Sequence, residues 1–180
     1  MPLSSRFAFG PFHGLLPAVL ALTIVLAACS SAPEEVLACP QAVQIPDASR
    51  LTRFSVAGRD LTDVLFEAEI QQVQLVCEYD DDVVEVSLKV LFLATRGPAN
   101  RQGLAPIRYF VAIADQDQAV LLREEFDLEI PFLGNRPRVA MSEELGPRIP
   151  LKSGESAEGY RIFVGFALSH EEMSYNRRRR

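Results

Sequence analysis

From Phe66 to Phe92 the side chains alternate with a period of two, which excludes an amphipathic helix over the longest patterned stretch of the chain. Phe66, Ala68 and Ile70 alternate with Glu67, Glu69 and Gln71. The phase then slips, and Val73, Leu75, Cys77 and Tyr79 alternate with Gln74, Val76 and Glu78. One extra residue near Gln71-Gln72 is what a β-bulge looks like in sequence. Asp80-Asp81-Asp82 supplies a turn, because Asp side chains bond their own backbone and tolerate left-handed conformations. Val84, Val86, Leu88, Val90 and Phe92 then alternate with Glu85, Ser87, Lys89, Leu91 and Leu93. The two runs predict a long antiparallel hairpin.

The same period continues. Residues 95–106 hold Gly97-Pro98, Gly103 and Ala105-Pro106 and predict a long loop. Ile107, Tyr109, Val111 and Ile113 form the next strand. Asp115-Gln116-Asp117-Gln118 turns the chain, and residues 120–130 return. Pro131, Gly134, Pro137, Gly146, Pro147 and Pro150 punctuate a region with room for short strands at 138–141 and 148–151. Residues 154–159 predict a turn, and Tyr160, Ile162, Val164, Phe166 and Leu168 the last strand. Residues 61–69 admit one helical turn with Asp60 as N-cap, in competition with the alternation. No strong helix is predicted. The fold class is all-β: an antiparallel β-sandwich of immunoglobulin or fibronectin type III kind, with about seven strands. The chain has no Trp, so the core signature of antibody domains is absent.

The N-terminus has a different character. Arg6 is the only charged residue before Glu34, and an apolar stretch over 15–28 ends in Leu26-Ala27-Ala28-Cys29. That stretch is short for a membrane-spanning helix. The run resembles the lipobox of bacterial lipoproteins, and the body resembles small proteobacterial lipoproteins in its general layout. The resemblance implies that residues 1–28 are a cleaved signal peptide and that Cys29 carries the lipid, holding the protein stably to a membrane. Ser30 then implies the outer membrane, facing the periplasm. Residues 29–38 read as a tether, 39–176 as the sandwich and 177–180 as a basic tail.

About 150 residues follow Cys29, enough for one domain with its own core. They carry 17 basic against 24 acidic residues, a formal −7. Nucleic-acid binding needs clustered Lys and Arg, so it is not expected of this acidic body. In an exported chain Cys39 and Cys77 are expected to pair, closing a loop of about 39 residues. They lack the Cys-x-x-Cys spacing of a reactive pair.

Motifs for chemistry are scarce. His170 is the single histidine beyond the leader and reads as a solvated turn residue. The residues cannot build a multi-histidine or four-thiolate metal site. Asp80-Asp81-Asp82 and Asp115-x-Asp117 could offer oxygens to calcium, but turn chemistry explains both. No metal or other cofactor is expected. Arg177, Arg178, Arg179 and Arg180 read as a solvated tail, with an anionic partner or folding onto the acidic body as alternatives.

The outward phases of the strands offer more. Phe163, Gly165 and Ala167 alternate with the core residues of the last strand, and Phe110, Ala112 and Ala114 with those of the strand before the Asp115 turn. Leu91 and Leu93 do the same. Such a face can receive another surface, unless the 96–106 loop or the N-terminal segment covers it. Phe110, Phe163, Gly165 and Ala167, with Arg96 and Arg101 of the loop, are the candidate interaction residues. The leading expectation is a non-enzymatic, lipid-anchored accessory or scaffold protein of the envelope with a protein partner. The alternative is a small-ligand or glycan-binding lipoprotein using the loop arginines. A carboxylate-dependent hydrolase is a third class.

Overall fold

The long alternation is realised as β3 (Val64–Asp80) and β4 (Val83–Arg96), an antiparallel hairpin closed by Asp81-Asp82. Asp81 takes the left-handed conformation, φ 46°, that a two-residue hairpin turn requires. The register shifts between Ile70 and Gln72, so Gln71 is the extra residue of the expected bulge. Phe66, Ala68 and Ile70 before it are buried, and Val73, Leu75, Cys77 and Tyr79 after it pack against the same core. One inserted residue thus keeps both halves of β3 facing inward.

The computed structural model describes residues 37–56 and 58–179. The expected leader over 1–28, Cys29 and the tether up to residue 36 lie outside the described residues. The described chain also contains β1 (Gln41–Gln44), β2 (Arg50–Phe54), β5 (Leu104–Ala114), β6 (Val120–Pro131), β7 (Arg138–Leu145), β8 (Arg148–Pro150), β9 (Arg161–Phe166) and α1 (His170–Arg178). One sheet has the order β1-β9-β5-β6. The other runs β2-β3-β4-β7, with β8 also paired to β4. All pairings are antiparallel except β1 with β9. This is the expected antiparallel β-sandwich, with nine strands among the described residues instead of seven or so.

Between the sheets, Phe92 packs on Tyr109 with ring centroids 4.8 Å apart, and Tyr109 stacks on Phe126 at 5.2 Å. Phe66, Phe166, Ile162 and Val90 are as deeply buried. Cys39 and Cys77 form the expected disulfide, Cα atoms 5.7 Å apart. Beside it the Tyr79 hydroxyl donates to the Ala38 carbonyl at 2.6 Å and accepts from the Ala157 N–H at 2.9 Å.

Three local expectations change. The loop expected over 95–106 is only 97–103, because β4 runs to Arg96 and β5 begins at Leu104. Pro106 is tolerated in β5 because β9 pairs only with Tyr109–Ala114 and leaves one side of β5 open at Pro106. The helical turn after Asp60 is real but one turn long, Leu61–Asp63, with a reciprocal Asp60/Asp63 capping box. The expectation of no strong helix, with His170 in a turn, gives way to α1. Ser169 caps it: its side chain accepts from the Glu172 N–H, and Glu172 accepts from the Ser169 N–H. Acids in its first turn and arginines in its last complement the helix dipole.

The basic tail folds onto the body. Arg177 pairs with Asp47 at 3.1 Å and Arg179 with Glu67 at 3.1 Å. Tyr175 meets Phe54 edge-on at 5.2 Å. The Asn176 side chain donates to the carbonyls of Asp47 and Arg50, 2.9 and 2.7 Å away. Among the described residues no helix is long and apolar enough to cross a membrane.

Candidate interaction surface

The residues singled out from the outward phases do come together. Phe110 is paired across strands with Gly165, and Ala112 with Phe163. Their face is largely filled by the protein's own groups. Gly165 is buried, and a Cβ there would lie 3.0 Å from the Ala48 Cβ and 3.1 Å from two ring carbons of Phe110. Ala112 and Ala114 are buried as well. Phe110 is half-buried beneath the Arg123 guanidinium, 4.5 Å from its ring centre. The segment carrying Ala48 thus covers part of this face.

Arg96 and Arg101 part company. Arg96 donates from Nε and Nη2 to the Asn100 carbonyl at 3.1 and 2.8 Å, and the buried Asn100 side chain bonds the Leu104 carbonyl and the Gly103 N–H. Arg96 is therefore a brace for the loop. Arg101 is exposed at its tip and makes no ion pair among the described residues. It lines an open cavity of about 730 Å³ together with Ala167, Leu104, Pro106 and Arg108, where β9 stops short of the start of β5. Ala167 closes the β9 end by donating its N–H to the Arg108 carbonyl at 2.9 Å. The other guanidiniums there are occupied, Arg53 by Glu172 at 3.1 Å and Arg108 by Asp127 at 2.7 Å. The hydrogen bond from Arg108 holds the Asp127 carboxyl below its ordinary range.

The sheet edges are more informative. An open edge presents unpaired N–H and C=O groups that can template another strand, so proteins usually cover or blunt it. On one side of the sandwich, segments of the chain itself are tied to β3 and β2. The disulfide and the Tyr79–Ala38 bond fasten the N-terminal segment to the far half of β3, and Asn176 of α1 takes the Arg50 carbonyl of β2. On the other side lie β6 and β7, which end their respective sheets. Neither has a second strand paired to its outer edge among the described residues.

The β6 edge is apolar at its start. Val120, Leu121 and Leu122 are 62, 54 and 41 % exposed. The inward phase of β6, set by pairing with Ile113, Val111, Tyr109 and Ile107, holds Leu122, Glu124, Phe126 and Leu128. The matching phase of β7 holds Val139, Met141, Glu143 and Leu145. Glu124 and Glu143 form no ion pair among the described residues. Between these edges the Tyr109 hydroxyl is buried without a hydrogen-bond partner. Desolvation, and then the charge of Glu143, pushes its pKa to about 12. The hydroxyl therefore stays protonated in any physiological medium.

Sequence reasoning did not single out this edge. The signal for it is the consecutive run Val120-Leu121-Leu122, whose residues cannot all face one core at period two. The Asp clusters behave as turns: Asp115 Oδ1 accepts the N–H groups of Asp117 and Ala119 at 3.0 and 2.9 Å. Among the described residues no group of three or more His, Cys, Asp or Glu is placed to hold a metal. Compared with known proteins, the chain matches no family model, no curated protein and no solved structure.

Proposed function

We propose that this protein is a lipid-anchored, non-enzymatic accessory or scaffold protein of the bacterial envelope, which works by presenting its β6–β7 edge to another protein. The observation that carries this reading is the asymmetry of the edges. The chain ties β3 and β2 to its N-terminal segment and helix by a disulfide and hydrogen bonds, and leaves β6 without such a tie, with three exposed apolar residues at its start. Exposed apolar surface on a strand edge favours association.

The anchor rests on Leu26-Ala27-Ala28-Cys29. Cys39 lies ten positions after Cys29, so a fully extended tether reaches at most about 35 Å. The disulfide at Cys39 suits an oxidising compartment, and Ser30 favours the outer membrane, periplasmic side.

The test is purification of tagged protein from native membranes after crosslinking, beside a Cys29→Ser variant. The expected result is one stoichiometric protein partner, with Cys29→Ser no longer lipidated and lost from the membrane fraction. Lipidation of the variant would overturn the anchor, and recovery of no partner would overturn the interaction function. A second reading, binding of a small anionic ligand or glycan, is favoured by the unpaired Arg101 in the open cavity beside β5. Native mass spectrometry of the protein as isolated, showing a bound small molecule lost in Arg101→Ala, supports that reading instead.

A further inference from the structure

We infer that the β6–β7 edge takes an extended partner segment of alternating apolar and basic residues, laid alongside β6 as an added strand. This rests on the interaction function proposed above and names the partner's chemistry.

β6 offers two unlike faces to such a strand. By its pairing with Pro106, Arg108, Phe110 and Ala112, its outward face carries Glu129, Asp127, Glu125 and Arg123. Arg123 already pairs with Glu125 at 2.7 Å, and Arg108 with Asp127. Glu129 has no ion pair among the described residues. The inward face carries Leu122, Phe126 and Leu128, interrupted by Glu124. Residues directly opposite on neighbouring strands have Cβ atoms about 5 Å apart, so like charges repel there and opposite charges attract. A strand with Lys or Arg on one face and apolar residues on the other meets both demands. A second copy of β6 meets them only in part, because it brings Glu125, Asp127 and Glu129 against the same face along with Arg123.

The free N–H and C=O groups of β6 supply the ladder for the added strand.

The probe is a fluorescent peptide of alternating lysine and valine, as long as β6, titrated into the purified protein and followed by anisotropy. A glutamate–valine peptide is the control. Saturable binding of the lysine peptide alone is expected, with new hydrogen-exchange protection along β6. Glu125→Lys with Glu129→Lys weakens it about tenfold, whereas Asp80→Lys with Asp82→Lys, the same charge change at the β3–β4 turn, leaves it unchanged. These sites are exposed, and circular dichroism checks that each variant is folded. Equal binding of both peptides, insensitivity to the β6 reversals, or protection away from β6 overturns the inference, as does a concentration-dependent dimer protected along β6. If a stoichiometric envelope partner is recovered but the peptide does not bind, this inference falls and the interaction function stands.

Discussion

Tyr109 joins the core to the open edge. Its ring is held between Phe92 and Phe126, while its hydroxyl is buried and unpartnered. Burial raises its pKa from 10.0 to about 12, so the folded state resists losing this proton more than the unfolded chain does. The stability tied to this group is therefore whole below about pH 10 and is lost as pH rises towards 12. Tyr109→Phe is expected to lose less stability over that window, and at neutral pH to equal the parent or exceed it by about 1 kcal/mol. Urea denaturation of both proteins at neutral and alkaline pH checks this. A steeper alkaline loss in the variant would contradict it. Gly97 gives a second test. A Cβ there falls on the Val64 carbonyl, which strand pairing holds in place. Gly97→Ala should cost about 2 kcal/mol or more, read as a lower denaturation midpoint. The inward placing of Tyr109 was legible from the alternation of Ile107, Tyr109, Val111 and Ile113. Its missing partner was not, because that depends on which groups β6 and β7 bring near it.

Among the elements, α1 is weakly anchored by apolar burial. None of its residues is buried. It is held by Asn176 on two carbonyls, by Tyr175 on Phe54, and by ion pairs from Glu172, Arg177 and Arg179. Exposed ion pairs are individually weak and are screened by salt. Raising ionic strength to about 1 M is expected to speed hydrogen exchange in α1 while leaving β4 and β5 unchanged. Ser169→Ala removes the cap and should cost α1 about 1 kcal/mol, read as faster exchange in the same segment. Ser169-x-x-Glu172 has the spacing of a capping box, but no apolar stripe follows it, and the segment around His170 reads as a turn. β7 was foreseen only over 138–141. Its continuation is polar at Ser142 and Glu144, which take the water-facing phase, and Glu143 breaks the apolar phase between them, so hydropathy alone does not reveal the strand.

At the scale of the molecule, the sandwich is tied on one side and open on the other. Opening the Cys39–Cys77 loop, of sequence separation 38, should cost about 4 kcal/mol. Denaturation of Cys39→Ser/Cys77→Ser beside the parent reads that loss directly, and an unchanged midpoint would contradict it. The two-sheet architecture, the bulge and the disulfide were legible because period, phase slip and cysteine context are local signals. Which edges are covered was not, because α1 and the N-terminal segment meet β2 and β3 only in three dimensions. Phe110, Ala112, Phe163 and Gly165 of the outward phases share one face, yet Phe110 and Ala48 of the same chain fill the space over Gly165. The central claim is that the uncovered β6 edge engages a partner in the envelope. Its most direct test is a photocrosslinking residue placed in turn at Leu121 on β6, at Phe163 on the outer face of β9 and at Leu61 in the β2–β3 connection, in cells carrying the lipid-anchored protein. The account predicts one discrete protein adduct from position 121 and none from 61. Adducts from 163 or 61 without one from 121, or none from any position, would contradict it.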